Sequence, residues 1–258
     1  MTADANPPAP VRRLSILHLL VWTTFTALFL AFVSGNSLEV PKTGQVSWIV
    51  SLSLHTLIAM VDGAALTGMA FLLPFVFSES GRRRLEPGHW ILVFWGIIGI
   101  GELLCIAGMR IWPVEDDEVW QMGRLKSLVI HGGAGLALAY GWKLGSCERP
   151  WSAYLIIKAM SAGAAGLAGI VEAILYFGYS LEIAEAFQPF LTIFVLILIV
   201  YCVYLTLEII ASVTFVVAVA KDWNNRRYRD WLHEVAVVLM VSWPVLTTTE
   251  WLYYAAID

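Results

Sequence analysis

The sequence predicts an all-α fold: one polytopic membrane bundle of seven transmembrane helices, with the amino terminus cytoplasmic and the carboxyl terminus outside. Three observations carry this expectation. The 258 residues are 59% hydrophobic and only 14% charged, whereas soluble domains carry about 25% charged residues. Seven apolar stretches reach the roughly 20 residues that a helix needs to cross a hydrocarbon core of about 30 Å. The basic residues gather in alternate connections, as the retention of Lys and Arg on the cytoplasmic side requires.

Residues 1–13, with Pro7, Pro8 and Pro10, read as a disordered cytoplasmic tail, and residues 14–258 as a single transmembrane domain. The first span is expected near residues 14–34. Its basic start, apolar run and Val33-Ser34-Gly35 follow the order of a signal peptide. The apolar core exceeds the usual 7–15 residues, however, so an uncleaved helix is expected. The second span, near 46–77, is unusually long and carries Pro74 near its inner end. At 1.5 Å per residue it covers about 48 Å, so it must tilt or project from the bilayer. The third span lies near 89–111.

The fourth and fifth spans, near 125–144 and 152–179, are dense in small residues: His131-Gly132-Gly133-Ala134-Gly135 in one, and Ser161 through Gly169 in the other. Small residues let helices approach closely in lipid, which places these two at the centre of the bundle. The sixth span, near 188–220, is long like the second. In the seventh, near 231–256, Pro244 removes the donor to the Met240 carbonyl and should kink the helix.

Arg12 and Arg13, Arg82 to Arg84, Lys143 and Arg149, and Lys221 with Arg226, Arg227 and Arg229 then share the cytoplasmic side. The acidic run Glu115-Asp116-Asp117-Glu118 lies in an outer loop. Nine tryptophans, including Trp90, Trp151, Trp223 and Trp231, fall near span ends and read as an interfacial belt. The net charge of −4 offers no basic footprint for nucleic acid. Three cysteines without CxxC spacing read as small buried hydrophobes.

Function rests on the ionisable residues inside spans, each costing about 2.5–3.5 kcal/mol on insertion scales and turned toward a cavity or a partner. Asp62, Glu102, Glu172, Glu208 and Glu250 form the candidate intramembrane polar site, with Arg110 at the outer end of span 3 as their compensating cation. Helical spacing gathers Tyr201, Tyr204, Glu208 and Ser212 on one face, and Lys158, Ala162, Ala165, Gly169 and Glu172 on another. A faint repeat pairs Asp62 and Glu102, 40 residues apart, with Glu208 and Glu250, 42 apart. His55 and His131 are the candidate ligands for a metal or haem, although neither lies in an HxxxH or HExxH pattern.

Three readings stay open. The first is a permease or proton-coupled transporter for a small solute, with a polar cavity facing outward. The second is a noncatalytic accessory or sensor subunit that meets another membrane protein or a second copy of the chain. The third is a metal- or haem-binding membrane protein built on His55 and His131. No catalytic motif is present and no cofactor is expected. Retinal proteins share the span count, but the last span lacks the lysine they need. Arg13-Leu14-Ser15-Ile16-Leu17-His18-Leu19-Leu20-Val21-Trp22-Thr23-Thr24 resembles the start of the first helix in many uncharacterised bacterial multi-pass membrane proteins. That resemblance implies a bacterial cytoplasmic membrane and no particular activity.

Overall fold

A hydrocarbon environment leaves backbone N–H and C=O groups no partner but each other, so apolar stretches of this length close into helices whatever their individual propensities. The computed structural model describes residues 15–37, 45–78, 81, 85–111, 116–144, 148–180, 187–225 and 229–255. Among these it is all-helical, without strands: α1 (Ile16–Ser37), α2 (Gln45–Phe77), α3 (Pro87–Ile111), α4 (Asp116–Leu144), α5 (Arg149–Ser180), α6 (Phe187–Asn224) and α7 (Trp231–Ala255). Five segments are long and apolar enough to cross a membrane: Ile49–Phe77, Pro87–Cys105, Arg149–Glu172, Phe194–Asn224 and Trp231–Thr249. The apolar part of α1 described here, Ile16–Ala31, is shorter. The tail at residues 1–13 lies outside the described residues.

Two boundaries differ from expectation. Helix α4 starts at Asp116 rather than near 125, so most of the acidic run is its first turn and not a loop. Acidic side chains offset the exposed N–H groups and positive dipole of a helix start, which favours extending the helix through them. Helix α6 runs to 38 residues, about 57 Å, and so exceeds the bilayer as well as the span expected for it.

Each helix packs on its predecessor in sequence through α6, and α7 then returns to lie on α2 and α3. The centre of the bundle is α3, which touches α1, α2, α4, α5 and α7. Trp90, Ile91, Leu92, Val93 and Phe94 are five consecutive residues, each no more than 5% exposed. Only a helix enclosed on every side can bury such a run. The small residues of α4 and α5 do form the most extensive helix pair. A Cβ on Gly135 would sit 3.1 Å from the Ala159 carbonyl and 3.2 Å from the Ala162 Cβ. Close approach to one neighbour is not centrality, however. The bulky side chains of α3 fill the spaces between several neighbours, and that puts it in the middle.

The tryptophan belt needs the same correction. Trp223 is 86% exposed, as an anchor should be, but Trp90 and Trp151 are each 1% exposed. Trp90 lies against Gly141 of α4, where any side chain would collide with its indole. Helix α6 is the opposite extreme, with only 6% of its most apolar window buried and α5 as its main support.

Gly63 marks a backbone-to-backbone approach, since a Cβ there would lie 2.8 Å from the Thr26 amide nitrogen of α1. Backbone cannot rotate away, so Gly63→Ala should cost about 1–3 kcal/mol through forced separation of α1 and α2. Gly163 has open space around it, and Gly163→Ala should stay within about 1 kcal/mol of wild type. Thermal unfolding of both variants in detergent distinguishes the two positions.

Candidate functional site

Three polar contacts staple α5 to α6 along their length. At one end the Trp151 indole donates to Asp222 Oδ2 at 2.9 Å. At mid-depth Lys158 Nζ donates to both carboxylate oxygens of Glu208 at 2.7 Å, and the Ser161 hydroxyl donates to the same group. Farther along, the Tyr201 hydroxyl donates to Glu172 Oε1 at 2.5 Å. An antiparallel pair with a fixed register produces such a ladder when polar residues fall at matched depths.

The middle contact forms one wall of a cavity of about 450 Å³ between α3, α5, α6 and α7. Helix α3 contributes Trp95, Ile98 and Glu102, which recur at three and four residues and so share one face. Helix α4 adds His131, α6 adds Tyr204, Glu208 and Ser212, and α7 adds Met240, Trp243, Pro244 and Thr247. Lys158 is 9% exposed, with its ammonium 5.8 Å from the centroid of the Phe94 ring. Met240 sulfur accepts from Trp95 Nε1 at 2.9 Å and from the Tyr154 hydroxyl at 3.4 Å, tying α3 and α5 to α7. Residues 94–102 of α3 lie about 10–22 Å above its first residue, which is the middle of a bilayer-spanning helix.

The sequence-stated candidates divide accordingly. Glu102 and Glu208 share the cavity wall. Asp62 is buried on α2 and interacts electrostatically with Glu102 without lining the cavity. Glu172 is engaged by Tyr201 in the α5–α6 seam. Glu250 and Arg110 have side chains outside the described residues. His131 lines the cavity, while His55 donates from Nδ1 to the Ser51 carbonyl of its own helix at 2.7 Å. Neither histidine belongs to a converging group of metal-ligand side chains among the described residues. Lys158, Ser161, Tyr154 and Tyr204 complete the site. Lys158 was visible as the one lysine on the small-residue face of its span, but its partner on α6 depends on helix register.

A second polar cluster sits where the amino termini of α3 and α7 meet. Glu86 N–H donates to His89 Nδ1 at 2.9 Å, and His89 N–H donates to the Glu86 carbonyl at 3.0 Å. His89 Nε2–H then donates to Asp230 Oδ1 at 2.8 Å. That oxygen also accepts the His233 N–H at 3.0 Å, capping α7. In return, the Gly88 N–H of α3 donates to His233 Nδ1 at 3.0 Å. Each helix therefore takes a cap from a residue group anchored on the other. Asp222 closes the corner by accepting Arg229 Nε at 3.0 Å and Nη2 at 3.1 Å.

Glu86, His89 and Asp230 have ligand atoms within 4.8 Å of one another. Both histidines nevertheless spend the Nδ1 lone pair on a backbone N–H, which fixes the proton on Nε2, so this donor set serves as caps. The sequence signal is an acid three residues before a histidine, Glu86-Pro87-Gly88-His89 and Asp230-Trp231-Leu232-His233, at the start of two spans. His89 and His233 lie at span starts, where an ionisable residue carries no insertion cost and so does not stand out.

A larger recess of about 780 Å³ between α1, α2 and α7 is lined mainly by apolar groups such as Leu19, Trp22, Val61 and Leu239. It brings together no comparable set of polar side chains.

Asp230→Ala should remove both the α7 cap and the acceptor of a buried imidazole, costing about 1–3 kcal/mol, whereas Asp230→Asn keeps an acceptor oxygen and most of the stability. Melting temperatures of the two variants test this. Burial, and then the Asp230 carboxylate, raise the Glu86 carboxyl above its ordinary range, while His89 and Arg229 act in the other direction. A raised folded pKa contributes stability below the unfolded value of about 4.3, and that contribution is lost as pH climbs through the folded value. The melting temperature should therefore carry a downward slope with pH above about 4.3, and Glu86→Gln should reduce it.

Compared with known proteins, the chain matches no family model, no curated protein and no solved structure.

Proposed function

We propose that the chain is a permease for a small solute in the bacterial cytoplasmic membrane, crossing it seven times with the amino terminus cytoplasmic and the carboxyl terminus outside. The mid-depth cavity is its binding chamber and Glu208 the acid that exchanges a proton. The observation that carries this reading is the Lys158–Glu208 pair in the cavity wall. Removing two charges from water costs several kcal/mol per ion before their attraction offsets it, and apolar residues of equal volume would hold α5 to α6 as well or better. A pair kept at that cost suits a cycle in which Glu208 is shared between Lys158 and a transported proton. A proton on Glu208 weakens the hold of Lys158 and changes the charge presented to the solute.

The accessory reading is favoured by a different feature, the almost uncovered apolar face of α6. Lipid covers such a face equally well. Copurification of a stoichiometric second subunit, or a stable homo-oligomer with α6 at its interface, would support it.

In proteoliposomes with an imposed pH gradient, solute-dependent proton flux should fall at least tenfold in Glu208→Gln. Lys158→Met alone should cost about 1–3 kcal/mol because it leaves the partly buried Glu208 carboxylate without its ammonium partner. The double variant Lys158→Met with Glu208→Leu should recover stability but not flux. Unchanged flux in Glu208→Gln would remove the pair from the mechanism.

A further inference from the structure

The mid-depth cavity is open on one flank. Consecutive helices pack on one another through α6, but α7 packs on α2 and α3 instead. Both α6 and α7 line the cavity, and among the described residues no extensive interface between them closes that side. Val216 of α6 and Val241 of α7 belong to the lining and are 63% and 58% exposed. Val216 stands eight residues before the end of α6 and Val241 ten after the start of α7, about 12 and 15 Å along the two axes. Both fall inside segments long and apolar enough to cross a membrane. The opening therefore faces hydrocarbon rather than water, and its rim is made of valines. Behind the rim the Glu208 side chain is still 26% exposed, even with Lys158 on its carboxylate.

We propose that the cavity takes its ligand sideways from the bilayer, between α6 and α7, and that the ligand is a neutral ring compound whose carbonyl or hydroxyl oxygen bonds to Tyr204. A route through hydrocarbon admits only what dissolves there. A charge at that depth carries a heavy insertion cost, whereas one oxygen can be desolvated and then bonded again inside. Aromatic pairs stand in the lining, Trp95 with Trp243 at 5.0 Å between centroids and Tyr154 with Phe215 at 5.3 Å. Such faces and edges take a flat ring in offset or edge-to-face contact. The Tyr204 hydroxyl, one turn from Glu208, makes no hydrogen bond among the described residues, and a phenol can donate to an oxygen or accept from a hydroxyl. The volume of about 450 Å³ falls in the range of about 300–1,000 Å³ usual for small-molecule sites. This assignment rests on the permease reading for its biological meaning, but binding and entry can both be measured without transport.

The test uses the full-length protein in detergent and in phosphatidylcholine vesicles. The probe is 2-acetonaphthone, with 2-ethylnaphthalene as the same shape without oxygen and 2-naphthoate as the charged analogue. Calorimetry in detergent should show saturable binding of the ketone, at least threefold tighter than the hydrocarbon and at least tenfold tighter than the carboxylate. Tyr204→Phe should abolish the preference for the ketone over the hydrocarbon and leave hydrocarbon binding unchanged. In vesicles, stopped-flow tryptophan fluorescence should show ketone association slowed at least tenfold when Val216→Trp and Val241→Trp together narrow the opening. An unchanged association rate in that double variant, or a ketone preference that survives Tyr204→Phe, overturns the proposal. So does carboxylate binding as tight as that of the ketone, or no saturable ketone binding, and these two comparisons need only the wild-type protein. Ketone binding without solute-dependent proton flux would retain the site and discard the permease. Flux driven by a charged solute, without ketone binding, would do the reverse.

Discussion

The bundle depends on the reciprocal capping of α3 and α7. A helix start leaves its first N–H groups without intrahelical partners, and two helices running parallel bring two such ends together. Here the deficit of each is met by the other. His233 accepts the Gly88 N–H, and Asp230, held by His89, accepts the His233 N–H. This exchange returns α7 to lie against α2 and α3 rather than beside α6. With α7 in that position Met240, Trp243 and Thr247 face α3, and the cavity gains its fourth wall. Two of the acids at the junction, Glu86 and Asp230, also lie at the positive ends of the α3 and α7 dipoles, which favours them there.

Inside the bundle the polar groups are arranged by depth. Trp151–Asp222, Lys158–Glu208 and Glu172–Tyr201 occur at successive levels of the α5–α6 pair. The outer two bind a carboxylate to a neutral donor within a seam. The middle one alone places two opposite charges at the edge of an open space. The same chemistry therefore serves as a fastener at two levels and as a candidate working part at the third, and what separates them is the adjoining volume rather than the residue types.

Helices could be read from the sequence because lipid forces backbone self-satisfaction wherever apolar length suffices. Their neighbours could not. Trp90 at a span end reads as an anchor, yet it is buried because Gly141 leaves room for its ring on another helix. The small residues of α4 and α5 correctly announced a close pair but said nothing of which helix has the most neighbours. Of the candidate acids, Glu102 and Glu208 meet in one cavity while Asp62 and Glu172 do not, because convergence depends on rotation and register that composition does not encode. Lys158 was legible as a residue on an inward face. Its partner was not, since two side chains 50 positions apart are joined only by the fold.

The cap for the first turn of α3 comes from a residue 145 positions later in the chain. During synthesis, α3 therefore leaves the ribosome before the groups that cap its first turn exist. Until α7 arrives, the Gly88 amide and the His89 imidazole must be satisfied by water or headgroups, and the central helix stays open along one flank. The final docking step is thus also the step that removes water from the junction. A chain stopped after α6 would lack both acceptors, His233 Nδ1 and Asp230 Oδ1, so the start of the central helix takes its final form only when α7 docks.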